Sequence, residues 1–117
     1  MCEDELTLRS ADLEDSAVIG AFAGARLVGV AQVGLEGPDC FLEKLFVDPD
    51  AMGSGYGRRL FAWAADAARN LDADELLIDA DPDAVLFYLR MGCRSAGSAT
   101  SGSIPGRTLP RLVYALD

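Results

Sequence analysis

The sequence predicts a mixed α/β fold, a sheet with one central parallel strand–helix–strand unit. Three observations carry that prediction. Extended and helical signals follow one another in the order strands, helix, strand, helix, strands. The one long helical stretch is rich in alanine, and Leu60, Ala64, Ala67 and Leu71 recur along it at helical spacing. Half of the 117 residues are apolar and a quarter are charged, a composition that suits one globular domain with one core.

The elements follow in order. Residues 6–9 alternate as a short strand, and residues 10–16 form a polar, acidic connection. The apolar run 17–23 reads as a largely buried strand. Gly24-Ala25 is a tight turn, and residues 26–35 return as the second arm of a hairpin. Gly37-Pro38-Asp39 turns the chain into a strand over residues 40–47. Strict alternation there puts Phe41, Glu43, Leu45 and Val47 on one face and Leu42, Lys44 and Phe46 on the other. Asp48-Pro49-Asp50 ends it. The glycine-rich stretch Met52-Gly53-Ser54-Gly55-Tyr56-Gly57 then leads into the long helix, which lasts to Asn70. Residues 75–80, around Leu76-Leu77-Ile78, form a buried strand. Asp81-Pro82-Asp83 opens a short helix that runs through Phe87-Tyr88-Leu89 and stops at Gly92. A small-residue strand over 95–100, a Gly/Pro loop over 101–110 and a strand over 111–116 complete the chain.

Composition excludes several chemistries. There is no histidine, so a Ser-His-Asp triad, a Cys-His pair and a His-ligated zinc site are all absent. Any proton must move through carboxylate, tyrosine, cysteine, lysine or water. The 19 Asp and Glu against 10 Lys and Arg give a formal net charge of −9. That balance argues against nucleic acid and against an anionic membrane surface as partners, and suits a cationic one. Cys2, Cys40 and Cys93 form no CxxC, which points to neither a disulfide framework nor a zinc ribbon. With no apolar run of membrane length and an acidic start, the chain reads as cytoplasmic with reduced thiols.

The sharpest motif is a strand, Asp48-Pro49-Asp50, then Gly53-x-Gly55-x-Gly57-Arg58, then a helix. Glycines allow the backbone to approach a phosphate, and a new helix start offers unpaired N–H groups and a favourable dipole. The Lys-Ser/Thr of a P-loop is missing, and so is GxGxxG spacing.

Here the sequence resembles the GNAT superfamily of N-acetyltransferases. The stretch from Phe46 to Leu60 is similar to the family's acyl-CoA signature, Arg/Gln-x-x-Gly-x-Gly/Ala. Gly55 and Gly57 match, and Met52 stands where Arg or Gln is usual. The stretch from Asp81 to Gly92 resembles the second signature, Asn-x-x-Ala-x-x-x-Tyr-x-x-x-Gly. Ala84, Tyr88 and Gly92 match in register, and Asp81 replaces the Asn. Ser103-Ile104-Pro105-Gly106-Arg107 with Leu109-Pro110 also resembles a loop found in a subset of these proteins. The resemblance implies a mostly antiparallel central sheet of about six to seven strands, with the fourth and fifth parallel, and two main helices. It implies acetyl-CoA as cosubstrate, with no metal. Backbone near Leu45, Phe46 and Val47 would hold the pantetheine arm and thioester, and residues Gly53, Ser54, Gly55, Tyr56, Gly57 and Arg58 the pyrophosphate. Tyr88 would be the general acid toward the departing thiolate. Asp81 would either contact the cofactor or cap its helix. Met52 and Asp81 are counted with the cofactor-binding set.

The base follows from elimination. An amine acceptor must lose a proton before attack, and without histidine Glu43 is the leading carboxylate, with Asp79 and Asp81 as competitors. Cys93 reads as a packing residue and Arg107 as a solvated loop arginine. The family usually places two helices between its first two strands, and residues 10–16 leave no room for them. Three readings stay open: a large acceptor such as a protein or peptide amino group, a homodimer whose second subunit completes the wall, or an acetyl-CoA-binding sensor with little transferase activity. The leading expectation is direct acetyl transfer to a primary amine, either a small molecule or a protein or peptide amino group.

Overall fold

The computed structural model describes residues 6–51, 53, 55–100 and 108–116. Met52, Ser54 and the expected loop residues Ser103 to Arg107 lie outside the described residues, as does Cys2. The strands are β1 (Leu6–Asp12), β2 (Ser16–Ala23), β3 (Arg26–Glu36), β4 (Asp39–Val47), β5 (Glu75–Asp79), β6 (Arg94–Thr100) and β7 (Thr108–Ala115). They form one sheet in the order β1-β2-β3-β4-β5-β7-β6. Every adjacent pair is antiparallel except β4 and β5. Two α-helices accompany it, α1 (Tyr56–Asn70) between β4 and β5, and α2 (Val85–Arg90) between β5 and β6. This is the mixed, mostly antiparallel sheet with one parallel crossover that the sequence led us to expect.

The core lies between the sheet and α1. Leu60, Phe61, Ala64 and Ala68 of α1 are buried against Ala21, Val28, Ala31, Val33 and Leu42 of the sheet. Small residues let the helix sit close. A Cβ at Gly29 would stand 2.8 Å from Leu60 Cδ1, so β3 is cut away where the leucine seats. The α2 helix packs beside α1 on the same face, where the Phe61 ring meets Phe87 edge-on at 6.5 Å and Tyr114 at 5.1 Å. Among the described residues no helix covers the other face.

The main departures from the sequence reading each have a physical reason. β1 continues through Ser10 and Ala11 to Asp12, because pairing with β2 outweighs the polar composition of an edge strand. The connection to β2 shrinks to residues 13–15, closed by the Leu13 N–H to Ser16 carbonyl bond at 2.7 Å. β7 begins at Thr108 and includes Pro110. The proline lies opposite Ser98 where the β6–β7 register is irregular, and its carbonyl accepts from the Ala80 N–H at 2.9 Å. The short helix begins as a 3-10 turn, Pro82–Ala84, before α2.

A further departure concerns the site. In the β3–β4 ladder Gln32 faces Lys44 but Val33 faces Leu42, so Glu43 is the extra residue of a bulge. The bulge breaks the expected alternation. Leu42 and Leu45 both pack into the core beneath α1, and Val47 packs there too. Glu43 therefore does not share a face with Leu45 and Val47. It stands on the uncovered face, its carboxylate over Gly34.

Candidate functional site

Parallel strands that are fully paired leave no gap, and here they are not fully paired. The β4–β5 ladder is reduced to Phe41 opposite Leu77. Past that point a cavity of about 650 Å³ opens, a size suited to a small-molecule site. Leu45 and Val47 line it from β4. Gly53, Gly55, Tyr56, Gly57 and Arg58 line it from the loop and the start of α1, and Asp81, Phe87, Tyr88 and Arg90 from the segment after β5. The fold thus brings both sequence motifs to one cavity, at the carboxyl ends of the parallel strands.

The glycine-rich corner is built for close approach. Gly53 and Gly55 hold φ of 87° and 83°, a region that side-chain-bearing residues avoid. A Cβ at either would meet nothing within 4 Å, so the glycines face open space. Gly55 is the N-cap of α1, and no side chain caps the helix, which leaves its first N–H groups turned outward. The entrance to the loop is fixed by Asp48. Its carboxylate accepts from the Asp50 N–H at 2.9 Å and from the Arg26 guanidinium at 2.7 Å. The Arg26 hydrogen bond holds Asp48 below the usual carboxylate range.

Tyr88 is 6 % exposed, packed tilted against Phe61 at 6.1 Å and edge-on to Phe87 at 5.1 Å. Burial, with a smaller contribution from Cys93, pushes its phenol up to about 12. No hydrogen bond among the described residues engages its hydroxyl. Burial also pushes the Cys93 thiol up to about 11, so the thiol stays protonated and packs as a small apolar group.

The carboxylates separate by environment. Glu43 has its pKa raised by partial burial first, then by the charge and hydrogen-bonding proximity of Glu36. Asp79 is gripped at both oxygens by Arg111, at 2.7 and 3.0 Å, and that guanidinium lies 5.3 Å over the Phe41 ring. Asp81 lines the cavity and caps the 3-10 turn, accepting from the Asp83 N–H at 2.9 Å. The side chain of Phe46 is 50 % exposed and is not among the cavity walls; its backbone pairs with Val30. Met52, Ser54 and Arg107 lie outside the described residues. Sequence reasoning missed Phe87, Arg90 and Met91 as cavity walls. Their i, i+3, i+4 spacing put them on one helical face and was the available signal.

Among the described residues no group of three or more Cys, Asp or Glu could hold a metal ion, and no helix is long and apolar enough to cross a membrane. A family model described as an acetyltransferase (GNAT) domain matches residues 1–102. No curated protein matches by sequence. Among solved structures, nourseothricin acetyltransferase is similar with a TM-score of 0.78 at 25 % identity, over 89 % of this chain and 67 % of that one. A Bacillus subtilis acetyltransferase solved in complex with CoA is similar with a TM-score of 0.75 at 18 % identity, over 97 % of this chain and 100 % of that one. The ribosomal-protein-S18-alanine N-acetyltransferase from Escherichia coli is similar with a TM-score of 0.69 at 15 % identity, over 91 % of this chain and 72 % of that one.

Proposed function

The chain belongs to the GNAT acetyltransferase family, and on that premise we propose that it acetylates a primary amine from acetyl-CoA by direct transfer in a ternary complex. One observation carries the reading: the split between β4 and β5 opens into a cavity walled by both motif segments. The fit to the cosubstrate rests on the donor set. The open glycines and uncapped start of α1 suit a pyrophosphate, Arg58 and Arg90 supply positive charge, and Leu45 and Val47 offer an apolar wall to the pantetheine arm. Met52, Ser54 and the backbone at Phe46 belong to the same proposed set, and Asp81 caps the 3-10 turn at the cavity wall. A solved neighbour matched over its whole length is a complex with CoA, which supports a CoA thioester as the cosubstrate.

Acetyl-CoA supplies an activated acyl thioester, and everything else falls on the chain. Glu43 receives the proton of the acceptor ammonium, directly or through water, freeing the nitrogen lone pair. Its raised proton affinity brings it closer to the working pH than a solvated glutamate. Asp79 is a poor competitor because Arg111 occupies both of its oxygens. Tyr88 donates to the departing sulfur. Against a thiol that titrates near about 8.5 in water, full transfer from a phenol at about 12 is uphill by roughly 5 kcal/mol. The phenol therefore works chiefly as a fixed hydrogen-bond donor to developing negative charge.

Calorimetric titration with acetyl-CoA is the first test, followed by thiol release over small amines, polyamines and peptides. Binding and turnover are expected. No binding at millimolar acetyl-CoA would overturn the reading, and binding without turnover on any acceptor would replace it with an acetyl-CoA sensor.

A further inference from the structure

The bulge that turns Glu43 onto the uncovered face raises the question of what holds its carboxylate there. The neighbouring strand answers it. A Cβ built on Gly34 would lie 2.7 Å from Glu43 Cδ and from both carboxylate oxygens. The carboxyl group therefore occupies the volume that any other residue at 34 would fill. Gly34 is buried in mid-strand, opposite Phe41, and its backbone is ordinary extended β structure. Nothing about its conformation requires glycine, and glycine inside a strand is unfavourable both for chain entropy and for packing. What the position requires is room above the main chain.

We propose that Gly34 is a positioning residue for Glu43, its missing side chain forming the seat that holds the carboxylate on the helix-free face, two residues past the last β4–β5 pair. The inference rests on Glu43 being the proton acceptor. The charged groups on that face include Glu36 from β3, Asp39 and Lys44 from β4, and the Arg111–Asp79 pair from β7 and β5, with the Arg94–Glu75 pair and, over the Phe22 ring, Arg9 of β1 farther out. Of these, Glu36 bears on Glu43, as a like charge two residues along β3 from the seat. Arg111 is engaged by Asp79 and by the Phe41 ring. A carboxylate in the seat is thus kept beside Glu36, whereas one pushed out of it swings into solvent.

The test is Gly34→Ala. The clash is with the far end of a flexible side chain, so the added methyl displaces the carboxylate and the fold survives. Carbon-13 NMR titration of the Glu43 carboxyl needs no acceptor. Its midpoint should move down toward that of a free glutamate in Gly34→Ala, and also in Glu36→Gln, which leaves the seat intact and covers the case of an alanine variant that fails to fold. With acetyl-CoA and a polyamine as probes, Gly34→Ala should lower kcat at least tenfold and shift the acid limb of the rate profile to lower pH. KM for acetyl-CoA should stay as in the parent, and the change should have little further effect in Glu43→Gln. An unmoved Glu43 midpoint in both variants overturns the seat. So does an unchanged kcat in Gly34→Ala when Glu43→Gln is impaired. If Glu43→Gln itself keeps the parental rate profile, the proton-acceptor reading fails, whatever the midpoint does.

Discussion

Tyr88 and Glu43 sit on opposite sides of one sheet, and burial acts on them unequally. Tyr88 is enclosed by aromatic rings, so its phenol stays protonated throughout the neutral range. Replacing it with phenylalanine keeps that packing and removes only the hydroxyl. Tyr88→Phe should lower kcat about 100-fold while acetyl-CoA affinity measured by calorimetry stays near the parental value; a parental kcat would assign the ring to packing alone. Glu43 is exposed, yet its proton affinity is raised by partial burial and by Glu36. A carboxylate raised in the fold opposes stability when ionised. The cost is absent below the unfolded value of about 4.3 and develops as pH rises through the higher folded value. Glu43→Gln should therefore be slightly more stable than the parent at neutral pH. That advantage should fade on acidification toward pH ~4, read as thermal midpoints across a pH series. A catalytic carboxylate held at some expense to the fold predicts that sign, and a salt-bridged structural glutamate predicts the opposite.

At the scale of elements, the two segments that meet at the cavity were legible because their information is local. The spacing of Gly55 and Gly57 at the start of α1, and of Ala84, Tyr88 and Gly92 along and around α2, is written along the chain and survives folding unchanged. The face that Glu43 occupies was not legible. A bulge is decided by how β3 meets β4, and strict alternation along 40–47 carries no mark of it. The polar end of β1 and the proline in β7 were unreadable for a similar reason, since pairing with the adjacent strand decided them. Asp81 belongs to the legible set but does two things that sequence could not rank. It caps the 3-10 turn, and it places a negative charge on the wall of a cavity suited to an anion. Asp81→Asn keeps a capping oxygen and removes the charge. Its stability to urea should match the parent and acetyl-CoA should bind about 2- to 5-fold more tightly, from relief of charge repulsion at several ångströms. Asp81→Ala should lose about 1 kcal/mol of stability through the cap. Weaker binding in Asp81→Asn would mean that the carboxylate itself contacts the cosubstrate.

For the whole molecule, the arrangement of charge and cover points to how an acceptor arrives. Both helices lie on one face of the sheet, and residues 13–15 turn β1 directly into β2 where a longer connection would cross the other. Glu36, Asp39 and Glu43 stand on that open face, and the chain as a whole carries −9. The cavity wall mixes signs, Arg58 and Arg90 beside Asp81 and Asp83, and its affinity for an anion rests on the open glycines and the uncapped start of α1. On the proposed reading the cosubstrate is held at the start of α1, and a cationic acceptor would be steered to the acidic open face. Steering of this kind depends on ionic strength, because the Debye length shortens from about 30 Å at 0.01 M salt to about 8 Å at 0.15 M. With acetyl-CoA saturating, kcat/KM for a polyamine should fall about tenfold across that range, and for a singly charged amine much less. Equal or negligible salt effects on the two acceptors would reduce the −9 to a solubility property. A fall confined to the polycation, abolished in Glu36→Gln together with Asp39→Asn, would assign the steering to the open face.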